Sequence, residues 1–339
     1  SKFSDEECIK INDIVENMNK VSINGKTYTA PDGCSVSVIN NKVYFNGKLA
    51  EDFNDWKEKN IEIKVEELVL YSAADVLPFQ IALGDKSYTS RVDFDNDGFY
   101  ELMNQYDEIP KTSQITPFTF QELYLEEAKA GYTDLILVLI NSKGSATFGN
   151  AVMAKDMFFD EYPEYADQVR IHVYDGQGYS ASYGYPVVVA GRMMKEGKNA
   201  QEIRDYLEQE LDYRRIYFGM YTLKYAGKSG RIPSAAAFIG DKLNLKPIMK
   251  ISDREITTAA KVRGEAKLMH KIVNMALEDM EPGTPYQVIY GSDVSCRDEM
   301  EALMVKKLGY APDGYYQIGA AVAANAGPKL AGVALSVKK

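Results

Sequence analysis

The sequence predicts an α/β protein of two domains, one built on a mainly parallel sheet and the other α+β, preceded by a small β-rich extension. Three observations predict it. Leu135 to Ile140 is a continuous apolar run, as expected of a strand covered on both faces, and it lies between two helix-like stretches. Beyond Gly230 the pattern turns to a hairpin followed by alternating helices and strands. Before about residue 66 the chain runs in short, turn-punctuated alternations. The implied divisions are residues 1–65, 66–228 and 229–339.

Taken in order, Ser4 and Glu7 have capping-box spacing, and Cys8, Ile11, Val15 and Met18 follow at helical intervals. Alternation then predicts strands around Val21–Ile23, Tyr28, Ser35–Ile39 and Val43–Phe45, with Asn40-Asn41 and Asn46-Gly47 as turns. The alternation Ile61-Ile63-Val65 is grouped with this module, and Leu68 to Asp75 is the first strand of the body. Helices are expected over Phe120–Ala130 and Ala151–Phe159, a strand ending at Val173-Tyr174, and a buried helix over Gly184–Met194. The charged stretch Ala200–Leu211 predicts a helix leading into a strand, Ile216–Met220. Pro247–Ile251 and Ile256–Ala259 read as a hairpin through Ser252-Asp253-Arg254. Then come a helix Glu265–Glu281, a strand Gln287–Tyr290, a helix Asp298–Leu308, and closing strands Ile318–Ala324 and Leu330–Val337.

Composition narrows the function. Apolar residues are 45% and charged residues 26% of 339, with a net charge of −10 and no basic tract, so nucleic acid is not an expected partner. Three scattered cysteines and two histidines show no metal-ligand spacing, which predicts no cofactor or metal and fits a reducing cytoplasm. No apolar run approaches the roughly 20 residues of a membrane span, and no signal-like start is visible, so no integral membrane association is expected. No Walker A or glycine-rich nucleotide loop is present either.

Three polar loops follow apolar segments: Lys111-Thr112-Ser113-Gln114, Asn141 to Thr147, and Ala324 to Lys329. Hydroxyls and backbone N–H groups on such loops suit a carboxylate or phosphate, whose burial needs several donors. The site is expected in the crevice between domains, at the carboxyl ends of the parallel strands.

In this order the loops resemble a known family. Thr112-Ser113-Gln114 with Pro117 and Phe120 is similar to the DegV segment TSQPSPxxF, and Asn141 to Thr147 to its SSxLSGT. Asp175, Ser180 and Gly184 match DSxxxSxGxG in part. Gly230-Arg231-Ile232 through Asn244 to Ile248 resembles GGRI…LNIKPI, Lys261-Val262-Arg263 matches KVR, and Ile318 to Gly332 follows IGxxxxTHxGPGxxG. The resemblance covers about residues 66–339 and implies a DegV-like fold binding one long-chain fatty acid, with its carboxyl group at the domain junction and its tail in an apolar tunnel. It implies a lipid-binding protein and not an enzyme, in some cases presenting its acid to a fatty acid kinase catalytic subunit. By position, Thr112 or Ser113 and Ser145 hydrogen-bond the carboxyl group, joined by the Ala146 N–H, and Arg231 steadies a phosphate or docks a partner.

The start departs from the family pattern, with Tyr71-Ser72 in place of an Asp-Ser/Thr pair and no intervening helix before Leu77-Pro78, and three positions within the motifs depart as well. Asn325 replaces the histidine of THxGPG and Ala324 its threonine, so the head group keeps a donor that cannot carry charge. Ala146 replaces the glycine of SGT and needs backbone torsions open to a residue with a Cβ. Two other readings stand beside the carrier. One is a kinase-like enzyme acting on a small polyol or keto substrate, since the fold resembles the substrate domain of dihydroxyacetone kinases. The other is an interaction protein working through the amino-terminal module.

Overall fold

A computed structural model describes residues 74–232 and 245–338, together with six strand segments between residues 20 and 66. Five of those segments are Lys20–Ile23 (β1), Lys26–Thr29 (β2), Val36–Ile39 (β3), Lys42–Phe45 (β4) and Lys48–Leu49 (β5). β1 pairs antiparallel with β2, and β3, β4 and β5 form an antiparallel meander. Ile39 stands opposite Lys42 in this pairing, and the expected turn residues Asn40 and Asn41 lie outside the described residues. The expected helix over Ser4–Met18 lies outside the described residues.

The sixth segment, Ile61–Glu66 (β6), is not part of that module. It pairs parallel with Asp134–Leu139 (β11) and with Ala74–Leu77 (β7), and Arg170–Asp175 (β12) completes a parallel sheet of order β12-β11-β6-β7. Period-two alternation marks a strand but does not say which sheet receives it. The anticipated first strand, Leu68 to Asp75, has only its last residues in β7, and residues 67–73 are outside those described.

Gln80–Leu83 (β8) and Lys86–Thr89 (β9) form a hairpin, and Asn96–Gln105 (α1) follows, capped by Asp95 accepting from the Gly98 N–H at 2.7 Å. Lys111–Ser113, expected as loop, is a short strand (β10) paired with β8. Pro117–Lys129 (α2) begins with proline in its first turn, where the missing N–H costs nothing. It packs on Thr147–Glu161 (α3). All six residues of β11 are buried, as its continuous apolar run requires.

Ala181–Lys195 (α4) is buried around most of its circumference. It touches β11 of the parallel sheet and, on its other side, Arg214–Met220 (β13), Tyr286–Tyr290 (β16) and Leu330–Ser336 (β18). A helix apolar all round has to be enclosed, and here two sheets enclose it. Ala200–Asp212 (α5) lies beside it, opened by an Asn199–Glu202 capping box.

The second sheet has six strands in the order β15-β14-β13-β18-β16-β17, with Leu245–Ser252 (β14), Glu255–Arg263 (β15) and Tyr315–Gln317 (β17). β13, expected with the first body, sits at the middle of this sheet between two antiparallel partners. Sheet alternation splits its residues between two cores. Ile216 and Phe218 join the core shared with α4, while Tyr217 faces Leu268–Asp279 (α7) and Val294–Leu308 (α8). α6 is the single turn Ala226–Ser229.

One closing element differs in kind. Ile318–Ala324, expected as a strand, is mostly helix: Ala320–Ala326 (α9). A short apolar run carries no period that separates strand from buried helix, and its five alanines favour the helix.

Leu137 is fully buried at the centre of β11. Leu137→Ala is expected to cost about 2–5 kcal/mol in stability. Denaturant unfolding should show a lower midpoint with an unchanged slope.

Candidate functional site

The site begins at the carboxyl ends of β11 and β12. There the chain leaves each strand through a loop, Asn141 to Ala146 and Gly176 to Ser180, and the tip of the β14–β15 hairpin comes down on both. Asp175, the last residue of β12, ties the three together. It accepts from the Ser142 N–H at 3.1 Å, the Ser142 hydroxyl, the Gln177 N–H at 2.9 Å and Arg254 Nε at 2.7 Å. Burial opposes ionisation of Asp175, but the bonds from Ser142, Arg254 and Gln177 outweigh it and hold the carboxyl below its usual range. Asn141 returns the contact, donating through Nδ2 to the Arg254 carbonyl at 3.0 Å. Asp253 and Arg254 form the two-residue turn, both in the left-handed region at φ +52° and +65°. Glu255 next to them pairs with Lys143.

Between these segments and the six-stranded sheet lies a cavity of about 850 Å³, counting its open mouth. Its walls are apolar: Ile216, Phe218, Ile251 and Ile289 come from the sheet, and Ile318 and Leu330 from the chain around α9.

The polar residues of the lining come from loops bonded or packed to one another. Thr112 and Ser113 lie on β10, and Ser145 opens the turn into α3. Thr147 is fully buried behind them, its Oγ1 lying 2.8 Å from Ser145 Oγ and accepting from the Ile115 N–H at 3.3 Å. Asn150 Nδ2 donates to the Ile115 carbonyl at 2.7 Å and fixes the same register. Asn325 enters from α9, which packs on β10. Its Nδ2 donates to the Ala321 carbonyl at 2.7 Å, so part of its donor capacity is spent on its own helix. Arg231 is exposed at the mouth and reaches the carbonyls of Ser229 (3.1 Å) and Gly144 (3.4 Å). Among the described residues it has no carboxylate partner.

The structure therefore brings Thr112, Ser113, Ser145, Asn325 and Arg231 to one cavity, and leaves Ala146 outside its lining. Ala146 is exposed at the start of α3 with φ −75° and ψ 0°, torsions that any residue adopts, so the missing glycine costs no strain there.

Tyr179 was not legible as a site residue. It lies between the cavity and an adjoining polar recess lined by Lys143, Ser229, Arg231 and Arg254. Burial pushes its hydroxyl up to about 12, with the Arg231 charge pulling the other way. Gly144 makes room for it: a Cβ at Gly144 would stand 2.0 Å from Tyr179 Oη. The available signal was the pair of glycines in Gly176-Gln177-Gly178-Tyr179, which marks a tight turn after a strand.

Comparison with known proteins gives a consistent picture. A family model described as "Uncharacterised protein, DegV family COG1307" matches residues 64–338. A DegV domain-containing protein of Caldanaerobacter subterraneus is 29% identical over 274 residues, covering 79% of this chain and 93% of that protein. Among solved structures, a stearic acid-binding protein from Eubacterium ventriosum superposes with a TM-score of 0.73 at 21% identity, covering 82% of this chain and 98% of that one. The Fatty Acid Kinase (Fak) B3 protein of Streptococcus pneumoniae, loaded with linoleic acid, gives 0.71 at 15% identity over 82% and 99%. Such likeness fixes the fold.

Two outcomes follow from this geometry. A carboxyl lowered by folding stabilises above its unfolded pKa of about 4, and that stability is lost as pH falls through the folded value. The stability difference between the native chain and Asp175→Asn should thus be largest near neutrality and shrink towards pH 3, as read by denaturant midpoints. Gly144→Ala should displace Tyr179 and weaken ligand binding, with Tyr179→Phe restoring part of the loss in titrations of the double variant.

Proposed function

The chain belongs to the DegV family, and on that footing we propose that it binds one long-chain fatty acid. The carboxyl group sits among Thr112, Ser113, Ser145 and Asn325, and the tail lies along the apolar walls. The observation that carries this reading is the cavity's composition: apolar side chains from the six-stranded sheet, with hydroxyls concentrated where β10 meets the loop before α3. At roughly 0.8 kcal/mol per buried CH₂, a sixteen-carbon tail gains on the order of 10 kcal/mol, so the polar end sets register while the tail supplies affinity.

The chain works as a carrier and not as a catalyst. Of its two histidines, His172 lies within 3.3 Å of Asp134 at the far end of the parallel sheet, and His270 is exposed on α7. Its partner in the cell is a fatty acid kinase catalytic subunit, for which Arg231 at the mouth supplies a cation free to meet a phosphate or an acidic contact. The cytoplasm is its compartment, consistent with three sparse cysteines, of which Cys296 is free and buried. Among the described residues no helix is long and apolar enough to cross a membrane.

Native and then denaturing mass spectrometry tests the carrier. The expected result is release of one C14–C18 acid per chain, and a ligand-free protein that also refuses added acid would refute it. The double variant Thr112→Ala/Ser145→Ala should fold normally and bind palmitate at least tenfold more weakly, since hydrogen bonds to a charged group are worth about 1.5–3 kcal/mol each. With a fatty acid kinase catalytic subunit and ATP, the loaded chain should yield acyl phosphate, and Arg231→Ala should reduce that yield without altering acid uptake.

A further inference from the structure

Among the described residues the Ser180 hydroxyl has no hydrogen-bond partner. The residue is 7% exposed, it lines the cavity, and its Oγ is buried without a hydrogen-bond partner. It stands at the start of the fifteen-residue helix α4 but makes no side-chain cap there. Serine at that position ordinarily turns its oxygen onto the first-turn N–H groups. A buried hydroxyl left unpaired is destabilising, and among the described residues nothing pairs with this one.

The backbone supports the same conclusion. Ser180 has φ +51° and ψ −129°, and the Ser182 N–H donates to the Tyr179 carbonyl at 3.2 Å. These are the torsions of the first central residue of a type II′ turn, a place for glycine. Serine is held there under strain, and strain of this kind gathers where a side chain has to be aimed at a ligand. The surrounding sequence is Gly178-Tyr179-Ser180-Ala181-Ser182, and a Cβ at Gly178 would fall 2.1 Å from the Ser182 hydroxyl. A strand, a sharp turn around serine and a helix make the elbow that presents nucleophiles in hydrolases. Neither histidine is near this turn: His172 is bonded to Asp134, and His270 is exposed on α7. Without a base the hydroxyl is a hydrogen-bond donor, not a nucleophile.

Its neighbours say which part of a ligand it meets. The Asn141 N–H donates to the Gly178 carbonyl at 3.1 Å, and Tyr179 rests against Gly144. The Tyr179–Ser180 corner is therefore seated on the loop that carries Ser145, at the polar end. We propose that Ser180 is a further head-group residue, donating its hydroxyl to a ligand carboxylate at the amino terminus of α4. The inference rests on the fatty-acid reading and adds a donor to it.

The test uses the full chain with Ser180→Ala, which keeps the Cβ and removes the hydroxyl, and Ser180→Gly, which also relieves the torsion. Delipidated protein is titrated with palmitate, and its ligand-free unfolding midpoint is measured. Both variants should bind palmitate roughly tenfold more weakly. The unfolding midpoint should stay level or rise in Ser180→Ala and rise in Ser180→Gly, because an unpaired group, and in the second case a strained one, has been removed. Hexadecanol, which carries no charge, should lose less affinity than palmitate. Palmitate affinity within twofold of the native chain would overturn the role of Ser180 alone, as would a midpoint that falls in Ser180→Ala, which would mark the hydroxyl as structural. A native chain that takes up no palmitate would instead overturn the carrier reading itself.

Discussion

Burial of α4 between two sheets is the constraint on which the rest of the molecule depends. A helix satisfies its own backbone and can sit in an apolar interior that would reject a loop. Its flanks here are small over much of their length, with Ala181, Gly184, Ala190 and Gly191 among the buried residues. The parallel sheet and the six-stranded sheet close on it from either side and share one continuous core. The second core, under α7 and α8, is built from the alternate residues of the same strands. What appear as two domains in chain order are thus two sheets clamped on one helix. Beyond the helix start the cavity opens between the six-stranded sheet and the segments around β10, the loop before α3 and α9.

At the open end the loops are joined by ions and hydrogen bonds. Asp175 receives bonds from its own loop, from the neighbouring loop through Ser142, and from the hairpin tip through Arg254. Such a carboxylate can stay charged while almost fully enclosed because each oxygen is occupied. The same network fixes the loop that carries Gly144 and Ser145, so the placement of the lining hydroxyls is a by-product of how the sheets are joined.

Much of this was legible in the chain. The run Leu135 to Ile140 announced its strand because full burial removes alternation, and the hairpin of β14 and β15 declared itself by length and turn. The loops at Thr112 and Ser145 stood out because hydroxyls after apolar strands are conspicuous. Less visible was anything that depended on assignment between sheets. β6 alternates like the strands before it and β13 follows α5 as a parallel strand would, yet each belongs to the other sheet. The alanines of α9 fit either element. Tyr179 and the strained turn at Ser180 were hidden for a different reason, since their significance lies in torsions and close approaches that residue types alone do not express.

The replacement of a family histidine by Asn325 has a consequence for the state of the site over the pH range of a living cell. With His172 and His270 elsewhere, the asparagine leaves the polar end without an imidazole, while Asp175 titrates low and Tyr179 high. The polar end of the cavity therefore presents a constant electrostatic face from mild acidity to mild alkalinity. On the fatty-acid reading, any acid sensitivity of loading belongs to the acid itself, whose own protonation decides whether it arrives as an anion or as a neutral lipid.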